Sequence, residues 1–346
     1  MPRPTQLTVL LVCMLGGGEG LAPAWQQDLV RGAPGIEAND LDSAAKALAE
    51  NGVVRLNGIF ERTYAQQLKS HLQNLREAAF KWNDFSVSDP DKLFVPGTRL
   101  RFDTAVEVAF AGARSDVLLP LRDPCVGHAL QTACTALRPV IEECALRCLP
   151  RLEGQVGDSP LELVELASLL AFNGAGHQRV HHDYRRLRAG DDEDGDTLRR
   201  RGKMPPRLVT FLYLQDVPTV DYAPTVFLRK TATAEAHDRL DLDGSSRPAP
   251  EDLQGVCVAT VQAGDAIIYD ASVLHFGGAN NVEGHERSIF YFGFSPVGGA
   301  AALAGEPPRG FTAKEPVLMR DVLTGACWNE KDTVMPLAPA ATPALA

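Results

Sequence analysis

The sequence predicts a mainly β protein with flanking helices, whose strands form a double-stranded β-helix, the jelly-roll or cupin-like barrel. Eight short runs of strand type follow one another in the second half of the chain, and eight strands are the usual content of a jelly roll. Gly, Pro and Asp separate these runs, as expected of turns. No helical pattern alternates with them, so a parallel sheet with crossover helices does not fit.

The first half of the chain predicts helices around a single strand. Apolar residues recur at helical spacing over 41–51 and again over 62–80, and a strand-like phrase covers 52–56 between them. A third helix is predicted over 132–149, where Pro139 is a candidate kink and Pro150 ends the pattern. We expect these helices to wrap the barrel.

One folded domain is predicted to cover 41–298, with the β-helix core at about 161–295. Residues 299–346 are rich in Ala and Pro and lack periodicity, so a largely irregular tail is expected. The eight predicted strands are Leu161–Phe172, Gln178–Tyr184, Arg207–Gln215, Pro224–Arg229, Gly255–Gln262, Ala266–Asp270, Ser272–Gly277 and Arg287–Phe294.

Residues 1–24 have the pattern of a signal or targeting peptide. Arg3 precedes an apolar run over 7–15, and Ala22-Pro-Ala24 has the small-x-small form of a cleavage site. The apolar run is shorter than the roughly 20 residues that a bilayer requires, so no stable membrane span is predicted. Entry into the secretory pathway is expected, whether the destination is outside the cell, in endomembranes or in an organelle; a frayed apolar N-terminus is the alternative.

The net charge argues against a nucleic-acid partner, and the spacing of the cysteines argues against a structural zinc site. The chain has 34 Lys and Arg against 44 Asp and Glu, a formal net charge of −10, which is the wrong sign for binding a phosphate backbone. No nucleic acid partner is therefore predicted. The seven cysteines contain no pair at zinc-ribbon spacing, so no structural zinc site is predicted either. Cys144 and Cys148 lie at i,i+4, and buried free thiols are favoured over a disulfide there.

The second predicted strand carries a candidate pair of metal ligands. In a strand, residues i and i+2 point to the same face, so His181 and Asp183 would lie together while His182 points away. Such a pair arises often by chance, and a second match is needed to support it. Gln178, three residues earlier, could contact a bound oxo acid or orient a ligand; a solvated loop amide is the alternative.

The second match is His275, at the end of a strand pattern that begins after Gly264-Asp265, with Arg287 twelve residues beyond it. Two imidazoles and one carboxylate form the facial triad suited to Fe(II), with open positions for a 2-oxo acid and O₂. A buried guanidinium pairs well with a carboxylate. The predicted metal ligands and catalytic residues are therefore His181, Asp183 and His275, and Arg287 is the predicted anchor for 2-oxoglutarate.

These motifs resemble the phytanoyl-CoA dioxygenase family over residues 41–295. The resemblance implies a dioxygenase that uses Fe(II), O₂ and 2-oxoglutarate, decarboxylates 2-oxoglutarate to succinate and CO₂, and hydroxylates a C–H bond of a small molecule. The residues that carry it are Gly176–Tyr184, Gly264–Asp270, His275, Asn280 and Arg287.

Two positions bear on what the resemblance implies. Asp183 supplies the carboxylate that halogenating relatives lack, so halogenation is not expected. Arg229, Lys230 and Ala232, in the segment 222–232, stand where the family usually has a Pro-Gly-Ser/Thr-His turn. Since that turn borders the mouth of the family's active site, the change affects the expected handling of substrate.

Two alternatives remain open at this point. One is a catalytically silent β-helix protein that binds a metal or ligand. The other is a cupin-type metalloenzyme that does not use 2-oxoglutarate, in which Arg287 would be structural. The small-molecule substrate is expected to be anionic if Arg179, Arg185, Arg186 and Arg188 contact it, whereas a solvated face is the alternative for these arginines. The sequence does not determine the oligomeric state.

Overall fold

Two antiparallel sheets face each other, and helices cover the outer face of the larger sheet. This is the predicted double-stranded β-helix with flanking helices. In this computed structural model, the structure describes residues 24–33, 35–38, 40–82, 99–102, 106–111, 113–148, 161–184, 207–239, 250–296 and 317–327. Residues 1–23 of the predicted signal peptide and most of the predicted tail lie outside these ranges, so secretory entry stays a prediction.

Within these ranges the chain forms seven helices and eleven strands. The helices are α1 (Ala24–Val30), α2 (Leu41–Asn51), α3 (Arg62–Trp82), α4 (Pro124–Cys148), α5 (Ala234–Asp238), α6 (Pro250–Leu253) and α7 (Met319–Thr324). The strands are β1 (Val53–Leu56), β2 (Arg99–Phe102), β3 (Val106–Ala111), β4 (Arg114–Leu118), β5 (Leu161–Ala171), β6 (Leu208–Tyr213), β7 (Thr225–Leu228), β8 (Val256–Val258), β9 (Ala266–Asp270), β10 (His275–Gly277) and β11 (Arg287–Pro296).

The larger sheet has the strand order β1-β9-β6-β11-β5-β4-β3-β2, and the smaller sheet has the order β10-β7-β8. β11 lies near the centre of the larger sheet, and all its residues are buried. Side chains alternate between its two faces. Phe290 and Phe292 pack in the cluster that also contains the helices, whereas Ile289 and Tyr291 pack between the two sheets.

Helix α2 shows how local signals set the helical layer. Asp40 accepts a hydrogen bond from the Ser43 amide at its N-cap, and Gly52 ends the helix with a φ of 75°. Its buried face presents Ala44, Ala45 and Leu48 to the core. No helix in the described ranges is both long and apolar enough to cross a membrane.

Several predicted elements are confirmed and others are wrong. Helix α2 and strand β9 have the predicted bounds, whereas α4 begins at Pro124 and continues through Pro139. The predicted strand 178–184 is wrong, because within it the backbone forms one isolated bridge at His181. Strands β2 to β4, over 99–118, were not predicted, because charged residues interrupt their alternation.

Part of the predicted irregular tail belongs to the folded domain. The Leu163 amide donates to the Val317 carbonyl at 2.8 Å, and α7 follows directly. Met319 and Val322 are buried in the core that lies beneath the helices. Their spacing of three is that of one helical turn. The prediction of an irregular tail missed this turn because it rested on the Ala and Pro content of the whole segment.

Of the cysteine pair that the sequence singled out, Cys144 is a buried thiol, as expected. Its Sγ donates to the Ala45 carbonyl at 3.3 Å and so joins α4 to α2. The side chain of Cys148 lies outside the described part of the chain.

Gly264 makes a close backbone approach that we expect only glycine to permit. Its φ is +95°, and a Cβ there would lie 2.0 Å from the Phe60 carbonyl oxygen. Gly58 is also left-handed, at +65°, but a Cβ added there would have no other atom within 4 Å. We expect Gly264→Ala to lower the free energy of unfolding by about 3 kcal/mol or more, and Gly58→Ala by about 1 kcal/mol.

Urea denaturation of the two variants measures this difference. If both variants lose the same free energy of unfolding, the backbone near Phe60 moves aside without measurable loss of stability, and the prediction is contradicted.

Candidate metal centre

A pocket of about 550 Å³, including its opening to solvent, lies between the two sheets. All five residues that the sequence predicted for the site line this pocket. They are His181, Asp183, His275, Arg287 and Gln178.

His181 and His275 are held side by side by a reciprocal pair of backbone hydrogen bonds. The His181 amide donates to the His275 carbonyl at 2.9 Å, and the His275 amide donates to the His181 carbonyl at 2.8 Å. Directly opposed residues of an antiparallel bridge project their side chains to one face. The ring centroids consequently lie 4.4 Å apart. The backbone conformation differs from the predicted strand, but the side chains meet as predicted.

Asp183 completes a three-residue cluster around one point. Its Oδ1 lies 3.8 Å from His181 Nε2, and its Oδ2 lies 3.7 Å from His275 Nε2. These separations are too long for hydrogen bonds. One ligand atom from each of the three groups lies within 4.8 Å of the other two, so together they could hold a divalent ion.

Both imidazoles are oriented with Nε2 toward that point. His181 Nδ1 is 2.8 Å from the Arg179 carbonyl oxygen, and His275 Nδ1 is 2.9 Å from the Val273 carbonyl oxygen. A carbonyl oxygen can only accept a hydrogen bond, so each Nδ1 carries N–H, and in the neutral tautomer that this bond selects the lone pair is on Nε2. Metal-binding histidines typically have this outer hydrogen bond. The donor set therefore fits a resident transition metal.

The carboxylate of Asp183 is held by groups that the sequence did not single out. Tyr269 Oη donates to Asp183 Oδ2 at 3.1 Å, and Arg207 Nη2 lies 3.9 Å from the same oxygen. Burial opposes ionisation of Asp183, but electrostatic interactions with His275, Arg207 and His181 and the hydrogen bond from Tyr269 outweigh it, and the pKa of Asp183 lies below its usual value. The carboxylate is thus kept ionised for a cation.

Arg287 begins strand β11 and is completely buried. Its Nε and Nη1 have no hydrogen-bond partner among the described residues. Burial lowers the pKa of Arg287 to about 10, against the opposing effect of Tyr213, so the guanidinium stays charged near neutral pH. A buried cation with two unsatisfied N–H groups on a pocket wall fits an anionic ligand.

A second buried guanidinium, Arg114 of β4, lies on the opposite side of Ala171. Ala171 pairs with Arg287 on one side and with Arg114 on the other. Arg114 Nη2 donates to the carbonyls of Gly176 and Gly278. Burial and the charge of Arg287 lower the pKa of Arg114 to about 9. Sequence analysis missed it because β4 was not predicted.

Buried acidic groups line the same pocket. Tyr291 Oη is 3.0 Å from Asp116 Oδ1 and 3.3 Å from Glu165 Oε1. Arg207 Nε is 3.4 Å from Glu165 Oε2 and so connects this cluster to Asp183. The residues are distant in sequence, and no local motif could have shown that they meet.

Gln178 supports the backbone that carries His275. Its Oε1 accepts from the Gly277 amide at 2.8 Å, and its backbone amide donates to the Gly277 carbonyl at 2.8 Å. A Cβ on Gly277 would lie 2.4 Å from Gln178 Oε1, so a side chain at this position would displace the amide of Gln178 from its hydrogen bond. Contact between Gln178 and a bound oxo acid remains a prediction.

His182 points away from the pocket, as predicted, and stacks on His237 with ring centroids 4.3 Å apart. The segment Arg229–Ala232 does not line the pocket. Lys230 instead adopts a φ of 64°, and its amide donates to the Asn51 carbonyl at the end of α2. The departure from the family's turn thus affects packing between β7 and α2, and its effect on the handling of substrate stays a prediction.

No family model matches the chain, and no curated protein matches it. Solved structures do. The epimerase SnoN in complex with Fe³⁺, alpha ketoglutarate and nogalamycin RO is 17% identical, with a TM-score of 0.48, covering 81% of this chain and 98% of SnoN. HygX from Streptomyces hygroscopicus, with nickel and 2-oxoglutarate bound, is 15% identical, with a TM-score of 0.45 and coverages of 75% and 88%.

The carbocyclase SnoK from nogalamycin biosynthesis is 17% identical, with a TM-score of 0.44, covering 83% of this chain and 99% of SnoK. Because the identities are under 25% and the TM-scores under 0.5, these similarities assign neither a cofactor nor a reaction to this chain. The sheets and the pocket described above define a double-stranded β-helix protein with a candidate metal centre.

The burial of His275 predicts a pH dependence of stability in the metal-free protein. Burial, opposed by Asp183, lowers the pKa of His275 from 6.5 to about 4. As pH falls, the unfolded chain therefore binds a proton on this residue before the folded chain does, and the free energy of unfolding falls between about pH 6.5 and pH 4, by at most about 3 kcal/mol from this group.

Urea denaturation in a chelator, at about pH 7 and about pH 5, measures this loss. We expect His275→Gln to reduce it and His128→Gln, at an exposed histidine, to leave it unchanged. An undiminished loss in His275→Gln would contradict the prediction.

Proposed function

We propose that this protein is an Fe(II)- and 2-oxoglutarate-dependent dioxygenase that hydroxylates a C–H bond of a small-molecule substrate. The observation that carries the proposal is that two sites share one pocket: the cluster of His181, Asp183 and His275, and the buried guanidinium of Arg287. A metal cluster alone would fit many reactions. The second charge is what favours a co-substrate with a remote carboxylate.

The three ligands would hold Fe(II) through two Nε2 atoms and one carboxylate oxygen. In an octahedral site they leave three positions, enough for a bidentate 2-oxo acid and for O₂. Bound iron would supply the activation of O₂, of which one oxygen atom enters succinate as 2-oxoglutarate loses CO₂ and the other enters the substrate as a hydroxyl group. The chain's own residues bind, orient and desolvate the reactants.

Arg287 would bind the carboxylate of 2-oxoglutarate that is remote from the metal. Tyr213 interacts electrostatically with Arg287, and Tyr213 Oη donates to Thr225 Oγ1 at 3.1 Å. Thr225 lines the pocket. The complete burial of Arg287 excludes water, which strengthens a charge-assisted bond to a carboxylate. Transfer of the carboxylate into the pocket would satisfy the two N–H groups that have no partner.

Anaerobic titration of the mature chain with Fe(II) and 2-oxoglutarate tests the metal site. We expect the weak visible charge-transfer band of an iron–oxo-acid chelate in the wild type, and its loss in His275→Ala, because one imidazole ligand is removed. No band in a folded wild-type protein would refute the proposal and favour the silent alternative.

Replacing Arg287 tests the co-substrate. Arg287→Lys keeps the charge but loses the bidentate geometry, so we expect the KM for 2-oxoglutarate in succinate formation to rise about 10- to 100-fold. Arg239→Ala, which removes a cation that pairs with Asp252 away from the pocket, is the matched control and should leave this KM unchanged.

Oxidation of substrate that persists without 2-oxoglutarate, and that Arg287→Ala does not affect, would contradict the proposal. That outcome would instead support a cupin-type metalloenzyme in which Arg287 is structural.

A further inference from the structure

A second cluster of metal-ligating side chains lies at the surface, where α3 meets the first turn of α4. His71 belongs to α3, while Asp123 and Cys125 lie on either side of Pro124, where α4 begins. One ligand atom from each of the three lies within 4.8 Å of the other two. None of them lines the pocket between the sheets.

The imidazole and the carboxylate are already fixed relative to each other. His71 Nε2 lies 2.9 Å from Asp123 Oδ1, and the same oxygen accepts from the Val126 amide at 3.0 Å, which caps α4. Neither bond uses Asp123 Oδ2. Since the carboxylate is held by the helix cap, little further conformational entropy is lost when it binds an ion.

Cys125 adds a soft ligand to this pair. Its side chain is exposed and is not part of a disulfide, so an ion from solvent can reach it. A histidine–carboxylate hydrogen bond by itself is an ordinary contact between helices. A thiol within reach of both groups changes the chemistry, because thiolate, imidazole and carboxylate together form a set of ligands that Zn²⁺ uses.

We propose that His71, Asp123 and Cys125 form a binding site for a divalent ion of the zinc class, with water in the fourth position. Bond lengths of about 2.0–2.3 Å place tetrahedral ligand atoms about 3.3–3.6 Å apart. The present separations, from 2.9 Å to at most 4.8 Å, require side-chain shifts of about 1 Å. The ion would replace the hydrogen bond between His71 and Asp123, and the protons of His71 Nε2 and of the Cys125 thiol would be released to solvent. Hard ions such as Mg²⁺ and Ca²⁺ are disfavoured by the thiolate.

An ion at this site would tie α3 to α4, the two longest helices in the described ranges. Both contribute to the core against the outer face of the larger sheet. The site would therefore stabilise the helical layer, independently of the reaction in the pocket. Fifty-two positions separate His71 from Asp123, which explains why the spacing of cysteines gave no sign of it.

Titration of the full chain with Co²⁺ tests the proposal. A cobalt–thiolate bond gives a near-ultraviolet charge-transfer band that histidine and carboxylate ligands do not give. We expect this band in the wild type and also in Asp183→Ala, in which the cluster between the sheets is disrupted. The band thus reports the surface site whether or not the proposed function is correct.

Two substitutions and one matched control complete the test. We expect Cys125→Ser to abolish the band, His71→Ala to weaken Co²⁺ binding at least about tenfold, and Cys327→Ser, at another free cysteine, to change nothing. Competition by Zn²⁺ should remove the band. The proposal is overturned if saturating Co²⁺ gives no band, if the band survives Cys125→Ser, or if His71→Ala binds Co²⁺ as tightly as the wild type.

Discussion

The reciprocal backbone hydrogen bonds between His181 and His275 are the interaction on which the site depends. They join the segment after β5 to strand β10 of the smaller sheet, and so place two imidazoles on one face. Asp183 follows two residues later, where its amide donates to the Ala271 carbonyl at 2.9 Å. A shift of one residue in this pairing would move the side chain of one ligand to the opposite face.

The interior between the sheets carries an unusual amount of charge. Arg114, Arg207, Arg287, Asp116 and Glu165 are each less than 5% exposed. Burying an ion costs about several kcal/mol unless partners compensate. Within the described residues Arg207 lies at ion-pair distance from Glu165 and Asp183, whereas no carboxylate lies at ion-pair distance from Arg287. This contrast separates a charge that supports the metal ligands from one that is prepared for a ligand.

The two faces of the larger sheet differ in polarity and in what they contact. Its outer face packs against α2, α3 and α4 through aliphatic and aromatic side chains, which give the domain its main core. Its inner face supplies Asp116, Glu165 and Arg287 to the pocket. Because the helices stabilise the sheet from outside, the inner face can hold polar groups that lower stability and serve chemistry. The proposed surface site lies in the helical layer and leaves this inner face unaffected.

The sequence by itself determined the fold class, the bounds of α2 and β9, and the residues that meet in the cluster, because these depend on local periodicity and on a short motif. The strand predicted over 178–184 does not form, yet His181 and Asp183 lie together as the alternation of a strand predicted. Only the tertiary structure showed the contacts between distant segments. These are the bridge between His181 and His275, the contacts of Tyr269 and Arg207 with Asp183, and the position of the Arg114 guanidinium across Ala171 from Arg287. These contacts follow from sheet register and burial, and neither is encoded in the spacing of neighbouring residues.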